Sequence, residues 1–267
     1  MSVEVEEPHP GVVVVALAKP ERRNALNPET RERLHATIAS ADARGDVAAI
    51  VITGRGGHFC AGGDAASLAT LDERSVVTLL RSTHAMMRTL LGTRAMTIAA
   101  VDGWAAGGGA GLALACDHVV MAPDARIGLQ FHRIGLVPDC ALLYTLPRRV
   151  GPARAASIAL SPRAIGAAEA VALGAADEVA DGVSALPTAL RRAIAATEVP
   201  TAVRERTRAI LRGASHSLEA VLAAESEAQS RCVAEPAFRA GIDAFLAKSS
   251  RGGAHAGDTD APSGDRR

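Results

Sequence analysis

The stretch "AGGGAGLALACD", residues 106–117, places four glycines in its first six positions and then continues as an apolar, helix-like segment. Each glycine destabilises a helix by about 1 kcal/mol relative to alanine. The presence of four glycines at the start of a helix-like segment therefore needs an explanation. A second loop of small residues, "GRGGHFCAGGDAASL" at 54–68, also follows an apolar run and leads into a helix start. Glycines let a ligand approach the main chain, and N–H groups at a helix N-terminus point toward it. Two such loops facing each other would direct two N–H donors at one oxygen atom, as in an oxyanion hole.

Two nucleotide-binding patterns are also rich in glycine, and neither fits these loops. A phosphate-binding P-loop requires the pattern GK[ST], which neither loop contains. The dinucleotide-binding pattern GxGxxG is also broken, because its third glycine is missing from "GGGAG". Close packing of a helix against a sheet explains one glycine-rich loop well and two poorly, and it stays open from the sequence alone.

Composition excludes several classes of function. The formal net charge of zero gives no basic surface for nucleic acid or an anionic membrane. The longest apolar runs, such as residues 12–18, are far shorter than the roughly 20 residues of a membrane-spanning helix, and the residues after Met1 lack the pattern of a signal peptide. The cysteines have no metal-binding spacing and are expected to be reduced thiols in a cytoplasmic protein: Cys60, Cys116, Cys140 and Cys232.

The order of strand-like and helix-like segments predicts the fold class. A strand pair is predicted at 3–7 and 12–18, and a helix begins after Asn27 as N-cap with Pro28 at its first position. Further strands are predicted at 47–54, 96–101 and 118–123, with an amphipathic helix at 74–91 and mostly helical structure beyond about residue 140. Strands alternating with helices, followed by helices alone, indicate an α/β fold.

Three regions follow from this pattern. We expect a core over residues 1–195 and a helical region over 196–248. Residues 249–267 have almost nothing apolar to bury and are expected to be a disordered tail.

Six stretches, in this order, resemble the crotonase superfamily of enoyl-CoA hydratases and isomerases. They are "KPERRNALN" (19–27), "ITGRGGHFCAGGD" (52–64), "AAVDGWAAGGGAGLALACD" (99–117), "GLVPD" (135–139), "LPRRVGPARA" (146–155) and "AIGAAEAVALGAADEV" (164–179). The resemblance implies a spiral core of repeated ββα units and a C-terminal helical region that assembles homotrimers, often paired into hexamers.

The resemblance also assigns roles to residues. The backbone N–H groups of Gly63 and Gly108 would hold the thioester oxygen of an acyl-CoA and stabilise an enolate, which needs no metal and no redox cofactor. The coenzyme A would lie along the first loop, with Arg22 or Arg23 near its phosphates. The other positions implied to bind substrate are Ala25, Ala61, Gly62, Asp64, Phe245 and Lys248. From its place before "AASL", Asp64 is also predicted to be a helix N-cap.

The acids that hydratases of this superfamily place around one water are absent. The two matching positions are Gly111 and Phe131, neither of which can move a proton. Ordinary hydration is therefore disfavoured. Phe131 is expected to be a pocket position instead, and His132 and Arg133 beside it are expected to line the acyl channel.

One carboxylate remains near the same place, Asp139 in "GLVPD". In the isomerase branch an acid after this proline moves a proton between two carbons of an enoyl-CoA, and the apolar neighbours Leu136 and Val137 would raise its pKa. Asp139 also precedes a helical run, so it has the position of an N-cap, which would favour its charged form. Both interpretations stay open at this point.

Three further functions are compatible with the residues. Asp139 and His84 match the nucleophile and the base of acyl-CoA dehalogenases in this superfamily. A hydratase would need a base that the sequence does not identify. A protein that only binds acyl-CoA would need no base at all.

Overall fold

The structure is a computed structural model, and it describes residues 1–199, 204, 208, 219, 230, 233 and 236–252. Most of the predicted helical region and most of the predicted tail therefore lie outside the described residues. The division into three regions and the trimer-forming role stay predictions.

A six-stranded sheet forms the centre of the fold. The predicted hairpin is present, because β1 (Val3–His9) pairs antiparallel with β2 (Val12–Leu17) across the turn at Pro10 and Gly11. After β2 the sheet continues in the order β3 (Ala49–Gly54), β4 (Met96–Val101), β6 (His118–Met121) and β9 (Glu178–Val179). Each of these strands pairs in parallel with the strand before it in the sheet. The continuous apolar runs are thus explained by strands that are covered on both faces.

A second sheet of three strands lies beside the first. It contains β5 (Trp104–Ala106), β7 (Arg126–Gly128) and β8 (Ile165–Gly166), in that order. The prediction of mostly helical structure beyond about residue 140 is confirmed for the described residues, and β8 and β9 are the strands that it did not include. Both strands have two residues, which is too short to show any periodicity.

Helices cover both faces of the large sheet. The α-helices whose bounds the structure describes are α1 (Pro28–Ala43), α2 (Ala65–Ala69), α3 (Glu73–Gly92), α4 (Gly108–Leu114), α5 (Leu142–Val150), α6 (Pro152–Ala159), α7 (Ala167–Leu173), α8 (Leu186–Thr197) and α9 (Pro236–Gly252). Alternate residues of β2 face opposite ways: Val13 and Val15 join the core under α1, α3 and α4, and Val12 and Val14 join the core under α8. The predicted cap is confirmed, since the Asn27 side chain accepts a hydrogen bond from Thr30 N–H at 2.8 Å.

The C-terminal helix α9 packs against α2 and a short 3-10 helix, Gln130–Ile134. Their contact forms a third apolar core, and we use that name for its buried members Leu71, Val76, Leu80, Phe131, Leu136, Val233, Phe238 and Ile242. Helix α9 continues to Gly252, past the predicted start of the tail at residue 249, because extending an established helix costs little. Among the described residues, none of the helices is both long and apolar enough to cross a membrane.

Candidate active site

The two glycine-rich loops lie against each other. Cys60 N–H donates to the Trp104 carbonyl, and Ala106 N–H donates to the Cys60 carbonyl, both at 2.9 Å. A Cβ atom added to Gly62 would lie 2.6 Å from the Ala106 carbonyl oxygen, and one added to Gly109 would lie 2.4 Å from the Cys60 carbonyl oxygen. Close packing therefore does require glycine at these two positions, although the contact is between the loops and not only between helix and sheet.

The two backbone N–H groups implied by the resemblance, those of Gly63 and Gly108, belong to the loop segments that touch. Gly108 is the first residue of α4, and Gly62, which precedes Gly63, packs so closely that its added Cβ would lie 3.1 Å from Gly108 N. Within the part of the chain that the structure describes, neither Gly63 N–H nor Gly108 N–H has a hydrogen-bond acceptor. Donors without a partner in the protein are one requirement of an oxyanion hole.

The first loop is held by Asn24, a residue that the sequence analysis did not single out. The buried Asn24 side chain donates to the carbonyls of Arg55 (2.9 Å) and His58 (2.7 Å) and accepts from Lys19 N–H (2.9 Å). Its φ of 56° lies in the left-handed region, which asparagine tolerates better than most residues. The only sequence signal was its place inside "KPERRNALN".

Asp139 lies beside the second donor. Its Oδ1 atom is buried and lies 3.7 Å from the point where a Cβ on Gly108 would be. The alternative interpretation of Asp139 as the N-cap of the following helix is wrong, because α5 begins at Leu142 and its N-cap residue is Ala141. Cys140 and Ala141 adopt left-handed backbone conformations, with φ of 51° and 55°, and these move the helix start two residues beyond the expected position.

At Gly111, the position that matches the first hydratase acid, the available space is occupied by the segment that contains Asp139 and Cys140. A Cβ atom added to Gly111 would lie 2.6 Å from Cys140 Cβ and 2.8 Å from the Cys140 carbonyl oxygen. No side chain fits there without moving the chain. At the second position, Phe131 is buried in the third apolar core, and its ring lies 3.8 Å from the point where a Cβ on Gly107 would be. The structure therefore places no acid at either position, and Phe131 lies close to the second loop.

The residues implied to hold coenzyme A are only partly gathered along the first loop. Arg22 and Arg23 are exposed, and Arg22 Nη1 lies 3.5 Å from Asp64 Oδ2. Asp64 also caps α2, as predicted, by accepting a hydrogen bond from Ser67 N–H at 3.0 Å. Ala25 is buried, and Ala61 N–H donates to the Arg23 carbonyl at 2.9 Å.

The implied residues of the C-terminal helix lie further along the chain. Phe245 is 48% exposed on α9, so its ring is open to a ligand or to another surface. The Lys248 side chain lies outside the described residues.

The two histidines singled out from the sequence have different environments. His84 is buried on α3, and it acts electrostatically on Glu219, whose pKa is lowered chiefly by its hydrogen bonds with Arg88. His132 is exposed on the short 3-10 helix.

The site contains thiols but no cluster suited to a metal. Burial raises the pKa of the Cys60 thiol to about 12, and Cys60, Cys116 and Cys140 are all unbridged, as expected. No group of three or more histidine, cysteine, aspartate or glutamate side chains within the described ranges is placed to hold a metal ion. Cys232 lies outside those ranges.

Comparison with known proteins shows the family of the chain. The family model for enoyl-CoA hydratase/isomerase matches residues 7–251. Since this is most of the chain, the protein belongs to the enoyl-CoA hydratase/isomerase family, and the resemblance carried by the six motifs is confirmed.

Individual relatives cover nearly the whole chain. A Rhodobacter capsulatus protein named "Probable enoyl-CoA hydratase" is 38% identical over 240 residues, which is 89% of this chain and 92% of that protein. The 1,2-epoxyphenylacetyl-CoA isomerase of Escherichia coli is 32% identical over 251 residues, 90% of this chain and 94% of that protein. The crystal structure of an enoyl-CoA hydratase/isomerase from Mycobacterium paratuberculosis has a TM-score of 0.83 at 26% identity, covering 91% of this chain and 98% of that chain. The crotonase-like α/β fold is thereby confirmed.

Proposed function

We propose that this protein is an enoyl-CoA isomerase in which Asp139 carries the proton and the N–H groups of Gly63 and Gly108 hold the thioester oxygen. The observation that carries the proposal is the position of Asp139 Oδ1, which lies 3.7 Å from where a Cβ atom added to Gly108 would be. A carboxylate beside a backbone donor pair is the minimum that enolate chemistry needs.

The proposed reaction balances with one base. The Asp139 carboxylate takes a proton from C2 of a 3-enoyl-CoA, and the C–H electron pair moves toward the thioester, leaving a dienolate with its negative charge on the carbonyl oxygen. The two N–H donors stabilise that oxygen. Asp139 then returns the proton to C4, which gives the conjugated 2-enoyl-CoA and restores the carboxylate. No metal or redox cofactor takes part in this scheme.

Hydration would need further chemistry. A water molecule must be activated and a proton delivered to the neighbouring carbon, yet the position of Gly111 is closed by Cys140 and the other hydratase position is Phe131. Some relatives are named hydratases, so a hydratase with another base is the alternative that the experiment must distinguish. One relative is named 1,2-epoxyphenylacetyl-CoA isomerase, so isomerases also occur among the relatives, although the substrate in that name is an epoxide.

The coenzyme A would bind along the first loop. The exposed guanidinium groups of Arg22 and Arg23 supply positive charge for its phosphates, and the Asp64 carboxylate holds Arg22 at 3.5 Å. Since Ala61 N–H is bonded to Arg23, Ala61 would contribute its carbonyl oxygen to the adenine amino group.

The proposal is tested in D₂O with 3-enoyl-CoA substrates of several chain lengths, using the wild-type protein and the near-isosteric variant Asp139→Asn. Mass spectrometry and NMR locate the double bond and the deuterium, and calorimetry measures acyl-CoA binding. We expect 2-enoyl-CoA from the wild type, at least about a 10²-fold lower rate in Asp139→Asn, and unchanged binding.

The other functions give different products. Hydroxyacyl-CoA would establish a hydratase. Chloride release from an aromatic chloroacyl-CoA, lost in both Asp139→Asn and His84→Ala, would establish the dehalogenase. Binding without exchange in either protein would establish an acyl-CoA-binding protein.

A further inference from the structure

A buried arginine stands next to the proposed site. Arg31, in the first turn of α1, is only 4% exposed. A cation is unfavourable near a helix N-terminus, and a buried charge is costly unless groups of opposite charge or hydrogen-bond acceptors compensate it. The surroundings of Arg31 should therefore show what the charge interacts with.

Arg31 is hydrogen-bonded to Leu26, a residue that contacts both glycine-rich loops. Its Nη1 donates to the Leu26 carbonyl at 2.6 Å, and its Nε donates to Ser82 Oγ on α3 at 3.2 Å. Leu26 N–H in turn donates to the Gly62 carbonyl at 2.7 Å. A Cβ atom added to Gly108 would lie 3.6 Å from Leu26 Cδ1 and 3.7 Å from Asp139 Oδ1.

Both hydrogen-bond acceptors of Arg31 are neutral, so the opposite charge must come from elsewhere. Burial lowers the pKa of Arg31, while electrostatic interactions with Cys140, Asp139 and Asp64 oppose that effect. These groups come from the segment before α5 and from the start of α2, and α4, which packs against the same segment, contributes no titratable side chain. Asp139 is thus one of two carboxylates that act on this guanidinium.

We propose that Arg31 is a positioning residue for the reaction: its hydrogen bond fixes Leu26, which contacts both glycine-rich loops, and its charge favours the carboxylate form of Asp139. The second half of the inference rests on the proposed function of Asp139. Apolar neighbours disfavour a carboxylate, and a nearby guanidinium favours it. Arg31 therefore offsets the environment that surrounds the base.

The test measures the ionisation of Asp139 directly, so that it does not depend on turnover. Protein labelled with ¹³C at the aspartate carboxyl carbon is titrated by NMR, and the Asp139 signal is identified by its loss in Asp139→Asn. The variants are Arg31→Met, which removes the charge at similar length, and Arg31→Lys, which keeps it. Arg33→Met is the matched control, because Arg33 lies on the same helix but is paired on the surface with Glu29 at 3.4 Å.

We expect the pKa of Asp139 to rise by about one unit in Arg31→Met and to change little in Arg31→Lys or Arg33→Met. In Arg31→Met, the acidic limb of the pH profile of kcat/KM for proton exchange should shift to higher pH by the same amount, with KM nearly unchanged. The variant Ser82→Ala removes one hydrogen bond of Arg31 without removing its charge, so the pKa of Asp139 should be the same as in the wild type. It also serves as a folded variant if Arg31→Met is too unstable to titrate.

The outcomes separate this inference from the proposed function. An Asp139 pKa that is the same in wild type, Arg31→Met and Arg31→Lys overturns the role of Arg31, whatever the activity. An equal shift in Ser82→Ala also overturns it, because the effect would then come from packing. If Asp139→Asn exchanges protons as fast as the wild type, the proposed function fails, and the NMR titration still reports whether Arg31 acts on Asp139.

Discussion

The two sides of the candidate site are built in different ways. The donor side, around Gly63 and Gly108, consists of main chain held between strands and helix starts, and hydrogen bonds between the two loops fix it. The acid side, around Asp139, is an irregular segment in which two consecutive residues without a glycine's freedom, Cys140 and Ala141, have positive φ. Such conformations cost about 1 kcal/mol or more each and persist only where surrounding contacts impose them.

Under the proposed function, this difference explains how the donors can be kept while the carboxylate changes its place in the chain. Gly111, which has no side chain, leaves a space on α4, and the segment carrying Asp139 and Cys140 occupies that space. The donors are thereby kept while the carboxylate arrives from another part of the chain. The donor side should then be sensitive to loss of an N–H group, and the acid side to anything that refills the space.

The largest effect is expected on the donor side, from Gly108→Pro. Proline is tolerated at the first position of a helix but has no N–H, so the oxyanion would lose one donor. The proton-exchange rate should fall by about 10²–10³-fold, as for removal of a single oxyanion donor. Exchange in D₂O measures the rate, and circular dichroism verifies folding.

Gly108→Ala is the control for that variant. It introduces the same Cβ atom, 3.0 Å from Cys140 Sγ, but keeps the N–H group, so its loss should be at least about tenfold smaller. Equal losses in the two variants would mean that crowding against Cys140, and not the donor, sets the rate.

The next largest effect is expected at Asn24, whose side chain holds the first loop by hydrogen bonds. Asn24→Ala removes three hydrogen bonds to Lys19, Arg55 and His58 and forces alanine into a left-handed conformation. We expect a loss of about 3–4 kcal/mol in the free energy of unfolding, measured with urea.

Asn24→Gly separates the two causes, because glycine accepts the positive φ but makes none of the three bonds. Its loss should be about 1 kcal/mol smaller. A loss below about 1 kcal/mol in both variants would contradict the view that Asn24 fixes the first loop.

On the acid side, Gly111→Ala should destabilise the protein by about 2 kcal/mol, because the new methyl group overlaps Cys140. The double variant with Cys140→Gly should recover part of this loss, since it removes the Cβ atom at 2.6 Å and relieves the positive φ. Urea unfolding measures both variants.

Gly92→Ala is the matched control, because nothing lies within 4 Å of its added Cβ at the exposed end of α3. It should be neutral or stabilising by up to about 1 kcal/mol. If Gly111→Ala were equally harmless, the segment would not be pressed against α4, and the space for a hydratase glutamate would not be closed.

The donor side was largely predictable from the sequence. The Asn27 cap and the glycine-rich loops after β3 and β4 are local patterns. They needed no knowledge of distant contacts, and the fold class followed from the order of the elements. What the sequence left open was how many glycines serve packing. The contacts of Gly62 and Gly109 answer that question, because they depend on two loops about 50 residues apart meeting in space.

The acid side could not be predicted in the same way. Asp139 precedes a helix-like run, and local rules therefore allowed it to be the cap. The positive φ of Cys140 and Ala141, which excludes that role, is imposed by packing and has no local signal. Arg31 in "PETRERL" resembles any charged residue of a surface helix. Its burial arises only when α3 packs beside α1.

The smallest effect tests whether water is excluded from the donor side, and it uses the thiol of Cys60. Burial raises the pKa of this thiol to about 12 from an ordinary value of 9.0, so the folded protein holds its proton where the unfolded chain releases it. The unfolded state is therefore favoured progressively as pH rises above 9, and stability is lost between pH 9 and 12. By pH 10 the loss from this group should be about 1 kcal/mol.

Comparing the wild type with Cys60→Ala at pH 7 and pH 10 isolates that contribution. The cavity left by the missing sulfur costs the same at both pH values, so only the slope reports the thiol. The wild type should lose about 1 kcal/mol more than Cys60→Ala over this interval, as measured by urea unfolding. Parallel slopes would mean that Cys60 ionises as easily in the folded protein as in the unfolded chain. Water would then reach the contact between the two loops, and the oxyanion would be stabilised less strongly than a dry pair of donors allows.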